Sequence, residues 1–321
     1  MPTEISEMQR FRLRNKFTTE TQRTQKFFLL FIRVYLCSSV DNFLMSINSE
    51  SIAVITGASS GIGRALAVRF AAENIAGIAI SDVNETGLNE TAEMLENLGI
   101  EVLTSVVDVS KREDVERFAA ETVQKFGRAT HLINNAGVGL FGDFDQISLE
   151  DFEWLMSINF WGTVYGVKYF LPILKEQKKA HIVNISSVFG LIAPPEQTAY
   201  CASKFAVRGF TEALRHELED TNICVSTVHP GGIKTNIARN SRLGEKTPEE
   251  YKTQGANFFE KVALTTPETA AEVIIKGIKK ENTRILIGKD ARAINYIHRL
   301  FPRKYLRVIE KLSGHRLSLR K

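Results

Sequence analysis

In Ile52-Ala53-Val54-Ile55-Thr56-Gly57-Ala58-Ser59-Ser60-Gly61-Ile62-Gly63, continued by Arg64-Ala65-Leu66-Ala67-Val68-Arg69-Phe70, a short apolar run meets a glycine turn, and the turn enters a good helix former. A continuous apolar run of this length is the mark of a strand buried on both faces of a parallel sheet. Glycines let the backbone turn tightly and approach a pyrophosphate with no Cβ in the way. The helix start then offers free N–H groups and a partial positive charge to phosphate oxygens. Gly57, Ser59, Ser60, Gly61, Ile62 and Gly63 are therefore the expected phosphate contacts.

Further strands follow, each ending at a polar residue. Ala76–Ile80 ends at Ser81-Asp82, Val102–Val107 at Asp108-Val109, and His131–Ile133 at Asn134-Asn135-Ala136-Gly137. Ala180–Ile185, Cys224–Val228 and Ile285–Ile287 complete the set. Helical stretches separate them, which predicts one α/β domain of the doubly wound, Rossmann type, with about seven parallel strands and right-handed crossovers. Asp82 lies 25 residues past Gly57, close to the spacing at which an acid receives the adenosine ribose hydroxyls. Its charge would repel a 2′-phosphate and so favour NAD over NADP. The other reading of Asp82 is an N-cap for the helix beginning near Glu85.

Ligands in such sheets lie beyond the carboxyl ends of the strands. There the fifth strand delivers Asn184-Ile185-Ser186-Ser187. Tyr200 follows 13 residues beyond Ser187, and Lys204 four beyond that. Four residues of helix place Tyr200 and Lys204 on one face. A phenol titrates near ~10, and a neighbouring ammonium is expected to lower that value towards working pH. Tyr200 could then exchange a proton with an alcohol or carbonyl oxygen, with Ser187 holding that oxygen by a hydrogen bond.

Together the Thr-Gly-xxx-Gly-x-Gly turn at 56–63, Asp108, Asn134-Asn135-Ala136-Gly137, Asn159, Ser187, Tyr200-xxx-Lys204, and Pro230-Gly231 with Thr235 resemble the short-chain dehydrogenase/reductase family, in its short single-domain branch, over about residues 51–288. The resemblance implies a NAD(P)-dependent oxidoreductase that interconverts a secondary alcohol and a carbonyl. It implies Asn159, Ser187, Tyr200 and Lys204 as the catalytic set. Asn159 would kink a central helix and hold a relay water behind Lys204, and Lys204 would also bind the nicotinamide ribose. Asp108 and Val109 would contact the adenine. Asn134, Asn135, Ala136 and Gly137 would support the central strand and the adenosine ribose, while Pro230, Gly231, Ile233 and Thr235 would face the nicotinamide. Ser60 lacks the basic side chain common in NADP-preferring members, in agreement with Asp82. A homodimer or homotetramer paired through the helices around Asn159 and Tyr200 is implied as well.

The substrate side is apolar. Val188–Pro195 and part of Asn236–Leu264, where the family places its lid, suggest a lipid-, steroid- or retinoid-like substrate, with Phe141, Phe144, Phe258 and Phe259 as candidate walls; each alone could equally be core or lid packing. The rival function is a cofactor-binding regulator without catalysis on the same fold. An isomerase or dehydratase would need a larger C-terminal domain than follows Tyr200. Cys37, Cys201 and Cys224 have no ligand spacing, so no zinc or other metal site is expected, and they fit a reducing, cytoplasmic compartment.

The chain has 321 residues, 44% hydrophobic and 24% charged, and a net charge of +4. That charge is unevenly placed. Residues 289–321 hold ten Lys/Arg against Asp290 and Glu310, which argues against a nucleic-acid footprint spread over the fold. This tail has apolar residues at roughly helical spacing (Ile294, Ile297, Leu300, Phe301, then Leu306, Ile309, Leu312) broken at Pro302. It reads either as a basic amphipathic segment for a membrane surface or partner, or as helices covering the core or a subunit interface. Residues 1–50 read as an appendage. Its apolar run Phe27–Cys37 contains Arg33 and is too short to span a bilayer. A poorly ordered extension with Met45 as the true start, a membrane-surface attachment, and a cleaved targeting segment all remain open.

Overall fold

A computed structural model describes residues 47–314. The run 27–37 and the last seven basic-rich residues lie outside the described residues, as does the side chain of Phe258.

Seven parallel strands form one sheet: β1 Ile52–Thr56, β2 Gly77–Asp82, β3 Glu101–Val106, β4 His131–Asn134, β6 Ala180–Ile185, β7 Ile223–Pro230 and β9 Arg284–Ile287. Their spatial order is β3-β2-β1-β4-β6-β7-β9. The order reverses between β1 and β4, where Ala53 pairs with His131, so the connections above β1 and β4 diverge and open a crevice. Burial follows position. β1 and β6 are buried at every residue, whereas β3, at the edge, is exposed or half-buried at all but Ser105.

Six helices follow the strands on the two faces: α1 Gly61–Ala71, α2 Glu85–Glu96, α3 Arg112–Phe126, α5 Gly162–Lys175, α6 Thr198–Glu217 and α8 Pro267–Lys279. One face buries Leu66, Phe70, Leu88, Leu95, Ile274 and Ile278 against Ile55, Ile78 and Ile80. The other buries Phe118, Phe170, Leu174 and Leu214 against Val54, Leu132 and Ile182. Ile47 packs into the first of these cores. The side chains of α1 and α8 repeat at helical spacing, which is why a stretch of mixed polarity closes over the sheet.

Above the sheet, α4 Leu149–Met156 leads through a π-helical turn, Ser157–Trp161, into α5. A second, two-stranded parallel ladder joins β5 Leu140–Phe141 to β8 Arg242–Leu243. It ties segment 233–262, which contains α7 Glu250–Val262, to the rim of the crevice. The tail folds as α9 Lys289–Leu300 and α10 Tyr305–Ser313, separated at Pro302.

Candidate active site

The glycine loop lies between β1 and α1. Gly57 has φ +69°, a left-handed conformation that favours glycine, and a Cβ there would stand 2.7 Å from the Ala136 Cα. At Gly63 a Cβ would fall 2.0 Å from the Gly57 carbonyl oxygen, so loop and helix can close only with hydrogen there. Asn135 secures this contact from the next strand: its Nδ2 donates to the Thr56 and Gly57 carbonyls, both at 3.0 Å. The Thr56 hydroxyl accepts from the Asn135 and Ala136 amides, both at 3.1 Å. Asn135 thus spends its side chain on the loop.

Ser60 starts α1, and no side chain caps that helix. Its first-turn amides therefore present donors beside the glycine cradle, a donor set that suits the phosphates of a dinucleotide. Asp82, at the end of β2, accepts from the Ser59 amide and the Asn84 amide, each at 3.0 Å. The cap of α2 is Asn84, whose Oδ1 accepts from Gly87 N at 3.2 Å, so the N-cap alternative for Asp82 falls away. The acid instead borders the loop and keeps acceptor capacity facing outward. Arg64 completes this corner. Its guanidinium donates to the Ser59 and Gly87 carbonyls and to Thr91, and it pairs with Glu90 at 2.7 Å.

Two of the expected adenine contacts are committed elsewhere. Asp108 Oδ1 accepts from the Ser110 amide and hydroxyl, at 3.0 and 2.7 Å, and so shapes the turn into α3. The Val109 side chain is packed in the core, where a Cβ on Gly162 would lie 2.8 Å from it. The backbone of Val109 is left to meet a ligand. At the other end, Ile233 is buried and bridges Thr265, and Pro230 is buried at the end of β7. Gly231 N donates to the Ile287 carbonyl, and the Thr235 side chain lies over Gly61.

Ser187, Tyr200, Lys204 and Asn159 meet where β6 ends and α6 begins. Lys204 is 3% exposed, and its Nζ donates to the Ile185 carbonyl at 3.1 Å and stands 5.7 Å from the centre of the Tyr200 ring. A Cβ on Gly137 would lie 3.2 Å from Asn159 Oδ1 and 3.3 Å from Lys204 Nζ. Asn159 sits within the π turn, with Oδ1 accepting from Val138 N and Nδ2 donating to the Val138 carbonyl and to Ser203 Oγ. A π turn needs local reinforcement, and these three bonds supply it.

Burial decides the electrostatics. It lowers the Lys204 pKa to about 8. The Tyr200 phenol, half-buried as a residue but packed closely at its hydroxyl, is pushed up to about 12 by desolvation, while the Ser187 hydroxyl hydrogen-bonds it and pulls the other way. The expected lowering by Lys204 is therefore overturned. Taking the phenolate out of water outweighs an ammonium that lies over the ring rather than against the oxygen.

Several functional partners escape a reading of motifs. His229 on β7 is fully buried, and its Nδ1 lies 2.9 Å from the Ser187 carbonyl oxygen, which fixes the backbone of that serine. Asn134 Nδ2 donates to Asn184 Oδ1 at 2.8 Å, and Asn184 Nδ2 donates to Thr211 Oγ1 at 3.0 Å, which links β4, β6 and α6 beneath the site. Asn184 carries a readable signal. A polar side chain inside an apolar central strand is costly unless it is bonded. Of the candidate aromatic walls, Phe141 and Phe259 are half-buried, while Phe144 is 63% exposed. Phe189, within the Val188–Pro195 run, contacts the Tyr200 ring edge-on at 6.1 Å. Among the described residues no cluster of His, Cys, Asp and Glu could hold a metal.

Residues 51–246 match the short chain dehydrogenase family, and the chain belongs to it. A Mycobacterium tuberculosis protein named as oxidoreductase SadH is 43% identical over 267 residues, covering 83% of this chain and 96% of its own length. A short-chain dehydrogenase/reductase from Burkholderia phymatum, solved with NAD, superposes with a TM-score of 0.74 at 29% identity, covering 86% of this chain and 99% of its own. An alcohol dehydrogenase from the archaeon Thermococcus sibiricus, solved with 5-hydroxy-NADP, does so with a TM-score of 0.62 at 27% identity, covering 74% and 95%.

Proposed function

We propose that this protein is a NAD-preferring oxidoreductase that interconverts a secondary alcohol and a carbonyl on a hydrophobic substrate, with Asn159, Ser187, Tyr200 and Lys204 as its catalytic set. The carrying observation is one continuous seam. Gly57 packs on Ala136, Gly137 faces Lys204 and Asn159, and Lys204 lies over Tyr200, which hydrogen-bonds Ser187. A dinucleotide laid from the glycine loop along that seam ends beside the phenol. The bound nicotinamide would supply the hydride acceptor or donor.

The chain's own residues handle the proton. With its pKa near 12, Tyr200 is a phenol at neutral pH, ready to donate to a carbonyl oxygen. In the reverse direction, the Lys204 ammonium supports the phenolate that must take the alcohol proton. Ser187 hydrogen-bonds the substrate oxygen. Asn159 holds the Val138 and Ser203 backbone and side chain that flank the pair. A purely regulatory role has no use for a phenol and an ammonium buried side by side.

Asp82 supports the NAD preference by its place beside Ser59, and Arg64 at that corner already pairs with Glu90. Phe141, Phe189 and Phe259 support a lipid-, steroid- or retinoid-like substrate. Trp161 and Phe205, both exposed on the long helices, support a homo-oligomer, and free Cys201 and Cys224 suit a reducing, cytoplasmic setting. A catalytic domain over 51–288 and a tail from 289 belong to the same proposal.

The test is absorbance at the reduced-nicotinamide band with NAD or NADP and secondary alcohols from short to sterol-sized. Turnover is expected with NAD and long substrates, and Tyr200→Phe should lower it by roughly a thousand-fold. Equal turnover by Tyr200→Phe would remove the acid/base assignment, and a preference for NADP would remove that of Asp82.

A further inference from the structure

The tail helices split their apolar residues between two sides. On α9, Ala291 and Asn295 are buried, and Ile294 and His298 are half-buried against the body. Tyr296 and Leu300 are 64% and 72% exposed, and Phe301 just beyond them is 47% exposed. Ala293, Tyr296 and Leu300 recur at three and four residues, so they form one stripe along the outer face of the helix. Single exposed apolar residues need no explanation, but three large ones at the end of one helix do.

The surroundings of that stripe are cationic. Lys289, Arg292 and Arg299 on α9 and Arg303 and Lys304 in the turn are all exposed. The acids of the tail lie off this stripe. Asp290 accepts from the Gly232 amide at 2.7 Å, and Glu310 is half-buried, on the side of α10 opposite the exposed Leu312. An apolar stripe rimmed by Lys and Arg, whose long stems can lie along hydrocarbon with the charge at the headgroups, matches an anionic interface. A protein partner or second copy would need acids to answer this excess charge, and the face itself carries none.

We propose that the outer face of α9, with the turn 301–304, docks this protein peripherally on an anionic membrane surface. No helix among the described residues is long and apolar enough to cross a membrane, so Tyr296, Leu300 and Phe301 enter only the boundary of headgroups and acyl chains. The neighbouring helix is tied to the loop that follows the candidate catalytic serine: the Ala193 amide donates to the Tyr305 hydroxyl at 3.2 Å, and His298 of α9 meets the Tyr305 ring edge-on at 5.1 Å. Surface binding itself is independent of the reaction proposed above.

The full chain would be floated with phosphatidylcholine vesicles, with and without phosphatidylserine. Binding is expected only with phosphatidylserine, and it should weaken as salt rises. Arg292→Gln/Arg299→Gln/Arg303→Gln should weaken it by on the order of a hundred-fold, and Tyr296→Ser/Leu300→Ser by at least roughly ten-fold. Both variants should keep the unfolding midpoint, because the changed side chains are exposed. No binding to either vesicle would overturn the proposal. So would binding that both variants retain in full, which places the anchor elsewhere in the chain. A fall in molecular mass in lipid-free solution on either substitution would overturn it as well, and assign the face to a second copy.

Discussion

Lys204 has its charge set by where the chain puts it. Buried at the foot of α6 with one backbone acceptor, it titrates near 8 rather than 10.5. Its ammonium is thus complete below that pH and lost above it, whereas Tyr200, near 12, keeps its proton throughout. Carbonyl reduction should therefore be flat on the acid side and fall by about tenfold per pH unit above 8 if it needs the cation. Lys204→Met should be slow at every pH and lack that limb. A wild-type profile that stays flat to pH 10 would show that the ammonium takes no part. The pairing of Tyr200 with Lys204 was legible from spacing alone, because four residues of helix bring two side chains together whatever else the fold does. Their pKa values were not, because desolvation depends on atoms from β6, β7 and α6 that meet only in three dimensions. The side-chain partners of Val109 and Asp108 were hidden in the same way, because packing on Gly162 and bonding to Ser110 show only in three dimensions.

At the scale of elements, all seven main strands were readable as apolar runs, since strands buried on two faces leave little room for polar residues. The β5–β8 ladder was not, because two-residue strands have no period. The tail's helices were visible but their facing was not: small Ala291 and polar Asn295 go inward while Leu300 goes out. The strands also carry three buried histidines. His131 and His181 are register partners on β4 and β6, and His229 lies on β7. Burial lowers their pKa values to about 3, about 3 and about 4. The unfolded chain takes up these protons below about 6.5 and the folded one does not until far lower, so stability falls as pH drops through that window. Each histidine should cost roughly 2 kcal/mol between pH 6.5 and pH 5. Urea midpoints should drop steeply over that interval, and His181→Gln should flatten the slope. A midpoint that does not move would mean that these rings find protons, or water, within the fold.

Across the whole molecule, segment 233–262 is fastened at its two ends and in its middle. Its two ends are pinched together, with Lys234 N donating to the Thr265 carbonyl at 2.8 Å and Thr265 N to the Gly232 carbonyl at 3.2 Å. Its middle is fastened at the β5–β8 ladder. There Arg242 Nη1 bonds Asp151 Oδ1 at 2.9 Å, and the guanidinium lies 3.7 Å from the centre of the Trp154 ring. Asp151 is buried, so this pair is better screened from water than an ordinary surface bridge, although Arg242 itself is 45% exposed. Losing the charge and the stacking should free the segment at a cost of about 1–2 kcal/mol. If the segment closes over a hydrophobic substrate, Arg242→Gln should raise KM for long-chain alcohols by roughly tenfold, since about 1.4 kcal/mol is one decade. It should leave kcat nearly unchanged if Trp154, which packs in the same cluster as Tyr200, keeps its place, and it should leave KM for short alcohols unchanged if these do not reach the segment. Equal effects on short and long substrates would show that the clasp supports the site as a whole, and a fall in kcat alone would show that it acts on the catalytic groups.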